Sequence, residues 1–341
     1  MHLEIETVTE QWDRFDTIID VRSPGEWAVD HLPGAINVPV LSDMERDDIG
    51  KRYAASAFEA KKKGAALVAR NIANALETQF NAMPREWRPL IYCWRGGNRS
   101  QAMATVMERI GWRPTLLSGG YVAFRRHVVS ALERLASSFQ FTVICGVTGA
   151  GKSLFLRTLG QQGHQILDIE ALANHRGSLL GSEPTGGQPS QKAFDTAVWN
   201  ILRRLDPARQ VFVESESKKI GALQVPSSLI MRMRASPCIE LNPSLEERVR
   251  YLLQDYSHFF NNPDTLISQL ERLRPLVGGD RINEWRGYIE RYDWSSLVTS
   301  LLIHHYDPTY RRSMRNNFSR YDSAQVVSGH PMDRSVDLAA V

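Results

Sequence analysis

Two short stretches of the 341-residue chain carry side chains that could do chemistry. The first, "IYCWRGGNRSQAMA", sets Cys93 ahead of Arg95, Gly96, Gly97, Arg99 and Ser100. Glycines let successive backbone N–H groups curl inward, and a helix beginning just after them adds its positive end, so the loop is suited to hold an anion at a nucleophilic sulfur. Arg95 and Arg99 add cationic charge, and packing alone does not explain two glycines and two arginines in one loop. The second stretch, "FTVICGVTGAGKSLFL", contains Gly146, Gly149, Gly151, Lys152 and Ser153 as a full match to G-x-x-x-x-G-K-[ST]. In that pattern backbone amides cradle phosphate oxygens, the lysine neutralises them and the serine hydroxyl reaches a magnesium ion, here through Ser153.

Further along, "QVFVESES" offers Glu214 and Glu216 where such a fold normally supplies an aspartate for the metal. Between the phosphate motif and this strand lies "LANHRGSLLG", in which His175 and Arg176 could close on an anion or support a metal. The segment "YRRSMRNNFSRY" interleaves Arg311, Arg312, Arg315 and Arg320 with Tyr310, Phe318 and Tyr321. Arginines pair with phosphates while aromatic faces stack on unpaired bases, so this segment is the candidate RNA surface. Lys61, Lys62 and Lys63 read instead as a solvated helix face.

The elements that must position these residues follow an α/β rhythm. "FDTIIDV", "GAINVPV" and "RPLIYC" read as strands, and "SQAMATVMERIGW" as a helix closed at Gly111. Residues from about 43 to 85, rich in Ala, Glu, Lys and Leu, predict a helical insertion. A new strand begins near Phe141, which places a domain boundary at Ala136–Gln140: residues 1–136, then 137–341. The second half predicts parallel strands at "FTVICGV", "HQILDIE", "QVFVESE" and either "SLIMRMR" or "PCIELN". From about 242 to 322 only helices are expected, and the tail after Ser323 reads as unpacked.

Composition narrows the rest. A net charge of +3 permits a polyanionic partner without demanding one. Three cysteines, Cys93, Cys145 and Cys238, are too few and too scattered for a disulfide framework or a four-ligand zinc site, which fits a reducing cytoplasm. The N-terminal segment has no apolar export pattern, and no apolar run is long enough to span a membrane.

"IIDVRSPGEWAVDHLPGAINVPV" resembles the first signature of rhodanese domains, with Asp20, Arg22, Glu26, Trp27, His31, Pro33, Gly34 and Asn37 at matching places, and "LSGGYVAFRR" resembles the segment that closes such domains. Asp30 stands where that family usually has glycine, which puts a local turn in doubt. The resemblance implies a chalcogen carried on Cys93. The same loop satisfies the Cys-x5-Arg pattern of cysteine-dependent phosphatases, although Tyr92 occupies the place those enzymes usually give to histidine.

A rhodanese-like domain ahead of a P-loop NTPase-like domain, with "YCWRGGNRS", "GVTGAGKS", "LANHRGS" and "FVESESKKIG", resembles the tRNA 2-selenouridine synthases over nearly the whole chain. That resemblance implies replacement of sulfur by selenium at C2 of wobble 2-thiouridine in tRNA, with selenophosphate as donor and S-geranylation from geranyl diphosphate as a prior step. It also implies a selenophosphate-producing enzyme as partner; magnesium is compatible, and a role for ATP is left open. The competing readings are a sulfurtransferase coupled to an ATP-dependent kinase and a Cys-x5-Arg phosphatase.

Overall fold

The computed structural model describes residues 1–178, 181, 186–261, 263–329 and 331. The chain forms two compact units: Met1–Ala131 together with Pro189–Asn200, and Leu132–Gln188 together with Ile201–Val341.

In the first unit, β1 (His2–Leu3), β2 (Thr17–Asp20), β3 (Ala35–Asn37), β4 (Pro89–Tyr92) and β5 (Thr115–Leu117) form one parallel sheet in the order β1-β5-β4-β2-β3. A sheet covered on both faces requires near-continuous apolar strands, and Ile18, Ile19, Leu90 and Ile91 are all buried. β1, only two residues long, escapes a periodicity reading. The insertion expected over 43–85 is two helices, Asp43–Ala55 and Ala57–Thr78. Ser42 and Glu45 form a capping box that starts the first of them. The second buries Ile72 and Ala75 in a core with Ile19, Val38, Phe80, Trp87 and Met103.

Most of helix Gln191–Leu202, through Asn200, belongs to this unit although it lies far along the sequence. Its Trp199 is 1% exposed and meets Trp12, Phe124 and His127 edge-on. Its Thr196 donates to Asp30 Oδ2 at 3.1 Å, and Tyr121 donates to the same oxygen at 2.9 Å. Asp30, whose carboxyl burial pushes up, therefore does more than alter a local turn: its departure from the usual glycine anchors this helix.

In the second unit, β6 (Phe141–Cys145), β7 (Gln165–Leu167), β8 (Val211–Glu214), β11 (Cys238–Asn242) and β12 (Gln325–Ser328) form a second parallel sheet in the order β12-β11-β6-β8-β7. The two-residue strands β9 (Lys219–Ile220) and β10 (Leu223–Gln224) pair apart from it. Of the two alternatives for the fourth strand, "PCIELN" is β11 and "SLIMRMR" is helix Ser227–Arg234. Leu229, Ile230 and Met233 are buried on one helical face, a spacing that a strand would split between two.

Two expectations for the C-terminal region are corrected. Strands do not stop at Asn242, and the chain after Ser323 is not wholly unpacked: β12 pairs with β11 from Gln325 to Ser328 and buries Val327. "AQVVS" is too short to stand out as a strand without the edge of β11 beside it. Between these strands lie helices including Leu245–Asp255, Pro263–Glu271, Gly279–Glu290, Trp294–Leu301 and Asp307–Asn317, with a π-helical turn at Leu302–Tyr306. No helix among the described residues is long and apolar enough to cross a membrane.

Candidate active sites: a cysteine loop and a phosphate loop

Cys93 follows β4, and helix Asn98–Ile110 begins five residues later. The sulfur is 3% exposed at the residue level and accepts from Gly97 N–H at 3.3 Å and from the Ser100 hydroxyl at 3.2 Å. Donors aimed at the sulfur stabilise negative charge there, so the loop suits an anion. Gly96 has φ +66° and Gly120 φ +57°, both in the left-handed region that glycine tolerates. A methyl group on Gly120 would overlap the Cys93 carbonyl and the Gly96 N–H. Tyr121 N–H donates to Cys93 O at 2.8 Å and Val122 N–H to Trp94 O at 3.0 Å, so the "SGGYV" segment clasps the loop.

The two arginines of the loop have different settings. Arg95 is exposed, whereas Arg99 Nη1 donates to Glu26 Oε2 at 2.8 Å. Burial alone would raise the Glu26 carboxyl, but Arg99, the Ser23 N–H and Arg46 more than offset it and hold the group below the usual carboxylate range. Arg46 reaches the same oxygen at 3.2 Å from the helical insertion. Beneath the loop, Arg22 is fully buried, ion-paired to Asp20 at 2.6 Å and 4.0 Å from the Tyr121 ring centroid. Ser100 and Glu26 were not read as site residues from sequence. Ser100 had one signal, its place on the first turn of the helix, one turn from the thiol.

The phosphate motif spans the turn from β6 into helix Lys152–Gln161. Gly149 and Gly151 have φ +80° and +79°, conformations that turn the loop's amides toward one side. Lys152 Nζ donates to Gly146 O at 3.0 Å. Ser153 Oγ donates to Glu214 Oε2 at 2.8 Å and contacts Glu170 Oε2 at 2.9 Å. Glu170, Glu214 and Glu216 bring one oxygen each within 4.8 Å of one another. Burial, then neighbouring acids, pushes the Glu214 and Glu216 carboxyls well up.

That donor set, all hard oxygens with a serine hydroxyl beside them, fits magnesium, which would offset the mutual repulsion. Gly177 lies directly over it: a Cβ there would stand 2.8 Å from Glu170 Oε1 and 2.9 Å from Glu216 Oε1. Glu170 escaped the sequence reading because helix Ile169–Ala173, which carries it, is only five residues long.

The polar cavity in front of the motif, about 290 Å³, is lined by Gly149, Lys152, Ser153, Arg157, His175 and Arg176 among others. His175 is 7% exposed and accepts from Gly177 N–H through Nδ1 at 3.1 Å. Arg176 is paired with Asp255 at 2.7 Å and lies 4.8 Å from the Tyr256 ring centroid. The structure thus brings His175 and Arg176 to the phosphate loop, with Glu214 and Glu216 behind it.

Arg311, Arg312, Arg315 and Arg320 are exposed, on and just beyond helix Asp307–Asn317. The aromatic residues between them are not available to bases. Phe318 and Tyr321 are buried, and the Tyr310 hydroxyl accepts from Gly146 N–H at 2.8 Å and meets Ser215 Oγ at 2.9 Å. Tyr310 turns inward from the helix, and Phe318 and Tyr321, beyond its end, pack into the core while the arginines face out, so the stacking expectation is corrected. Tyr310 instead braces the phosphate loop. Arg248 does so as well, with its guanidinium forked onto Asp307 at 2.8 and 2.9 Å and donating to Thr148 O at 3.1 Å.

Residues 5–127 match the rhodanese-like domain family. Residues 139–331 match the family model described as the tRNA 2-selenouridine synthase AAA domain. The chain is 32% identical to the tRNA 2-selenouridine synthase of Alcanivorax borkumensis, over 86% of this chain and 88% of that protein. It is also 32% identical to the same-named protein of Marinobacter nauticus, over 86% and 87%, and 34% identical to that of Nitrosomonas europaea, over 76% and 67%. With the cysteine loop and the phosphate loop both intact, this chain belongs to the tRNA 2-selenouridine synthase family.

Proposed function

We propose that the protein is a tRNA-modifying transferase of the cytoplasm that replaces sulfur by selenium at C2 of 2-thiouridine at the wobble position, using selenophosphate, after S-geranylation from geranyl diphosphate. The observation that carries this reading is the presence in one chain of two anion sites of different kinds. One is built around a sulfur that receives two donors; the other is built around a lysine and a cradle of amides.

The chemistry divides accordingly. Thiocarbonyl sulfur is a poor leaving group, whereas an S-alkylated sulfur departs as a thiol once a selenium nucleophile adds to C2. In the alkylation, the thiouridine sulfur bonds to the allylic carbon and diphosphate leaves. Lys152 and the loop amides offset the charge that develops on that leaving group. Magnesium held by Ser153 with Glu214, Glu170 and Glu216 would neutralise further phosphate charge. His175 and Arg176 border the same cavity and orient the diphosphate. In the exchange, the selenium of selenophosphate adds to C2, geranylthiol leaves, and water takes the phosphoryl group from selenium as phosphate; the Cys93 thiolate with the Gly97 N–H and the Ser100 hydroxyl shapes the site for this step, while exposed Arg95 draws selenophosphate and Arg99, locked to Glu26, fixes the loop's shape. Exposed Arg311, Arg312, Arg315 and Arg320 hold the tRNA backbone.

Incubation of the purified protein with 2-thiouridine tRNA, geranyl diphosphate and selenophosphate, followed by nucleoside mass spectrometry, tests the reading. The expected product is 2-selenouridine, with an S-geranylated nucleoside when selenophosphate is withheld. A product that forms only with ATP, or sulfur left in place, would favour the kinase-coupled sulfurtransferase.

A further inference from the structure

Behind the phosphate loop lies a second cavity of different character. Its volume is about 60 Å³, and its walls are apolar side chains of the C-terminal helices, among them Phe259, Phe260, Leu266, Leu297, Val298 and Leu301. It shares Thr148, Ser178, Leu252 and Tyr256 with the polar cavity that holds Lys152 and Ser153, so the two are contiguous. A nucleotide base needs hydrogen-bond partners around its ring, and the depth of this cavity offers hydrocarbon instead. One polar group does reach it. It is the buried Tyr306 hydroxyl, beside Ser178. Tyr306 ends the π-helical turn Leu302–Tyr306, which forms part of the wall, and such turns recur at functional sites.

We propose that this apolar cavity seats the hydrocarbon chain of an allylic prenyl diphosphate whose diphosphate lies on the phosphate loop. The inference rests on the reading of that loop as a diphosphate site and assigns the part of the ligand which that reading leaves unplaced. Polar and apolar cavities meeting at Thr148 and Leu252 match an amphiphile with its charge at one end. That volume is below the roughly 150 Å³ that admits benzene in an engineered cavity. Seating ten carbons therefore widens the pocket, and its walls include the two irregular turns Ser257–Asn261 and Leu302–Tyr306. Burying the chain removes apolar surface from water, so affinity rises with each isoprene unit that enters.

Calorimetric titration of the full-length protein, with magnesium present, separates the possibilities. The ligands are inorganic diphosphate, dimethylallyl diphosphate and geranyl diphosphate. Affinity is expected to increase along that series, with geranyl diphosphate on the order of 100-fold tighter than diphosphate. Val298→Trp, which fills the cavity from its wall, is expected to cost geranyl diphosphate at least ~10-fold while leaving inorganic diphosphate unchanged. Equal affinities for the three ligands would overturn the cavity assignment and leave the phosphate-loop reading standing. Unchanged geranyl diphosphate affinity in a folded Val298→Trp would place the chain elsewhere, with the same consequence. If none of the three binds, the diphosphate reading and the cavity assignment fall together. Should Val298→Trp fail to fold, the series in the unmodified chain decides.

Discussion

The Ser100 hydroxyl stands 3.2 Å from the Cys93 sulfur, one helical turn beyond a backbone N–H that points to the same atom. Two donors aimed at one sulfur stabilise negative charge on it. Ser100→Ala removes one donor and leaves the other, so selenium incorporation should slow on the order of 10-fold with geranylation unaffected. Rates measured separately for the two half-reactions check this; an equal loss in both would mean that Ser100 supports only the fold.

Cys93→Ser and Lys152→Ala should fail differently. The serine variant lacks the thiolate around which the selenium site is built and should accumulate S-geranylated nucleoside. The alanine variant loses charge opposite the diphosphate, costing roughly 100-fold or more in geranyl transfer, and should leave 2-thiouridine untouched. Mass spectrometry of tRNA from cells carrying each variant reads the difference. Identical profiles would end the proposed division of labour.

The carboxylates behind Ser153 carry a pH signature. Glu214 and Glu216 have folded-state pKa values raised above their ordinary range by burial and, next, by the neighbouring Glu170. In the window between the ordinary and the raised values, the folded state holds protons that the unfolded state has released. Stability of the magnesium-free protein should therefore fall as pH rises through that window. Magnesium should restore it, with a larger gain in melting temperature at pH 8 than at pH 5. Glu214→Gln should flatten the pH dependence and reduce the magnesium effect. Melting curves at several pH values, with and without the ion, check all three outcomes.

Charge reversal at Arg311 and Arg315 should weaken tRNA binding and reduce its salt slope, because both side chains face solvent and neither is needed by the core. Binding measured across a salt series is the test. An unchanged slope would move the tRNA surface to the helical insertion.

Most of helix Gln191–Leu202 is part of the rhodanese-like unit, so Trp199→Ala should destabilise that unit by about 3–5 kcal/mol through the cavity it leaves. A fragment ending at residue 136 should show the same weakness. Chemical denaturation of the fragment, with and without residues 189–200 supplied as a peptide, measures it.

Both reactive loops were legible in the sequence because their requirements are local. Left-handed glycines at 149 and 151, a lysine and serine at fixed offsets, and a cysteine just ahead of a helix are set by a few consecutive residues. The parallel strands were legible for a related reason: doubly covered strands must be apolar throughout. What the sequence by itself determined was therefore the chemistry on offer and the α/β frame that presents it. Tertiary structure decided everything that depends on residues far apart in the chain. It brought Glu170 to Ser153, tied Arg99 to Glu26, turned Tyr310 inward to brace Gly146, gave Asp30 a partner in Thr196, and made a strand of Gln325–Ser328 by setting it beside β11. No local pattern encodes such pairings, because a buried polar group or an open strand edge is satisfied by whichever distant segment the fold delivers to it.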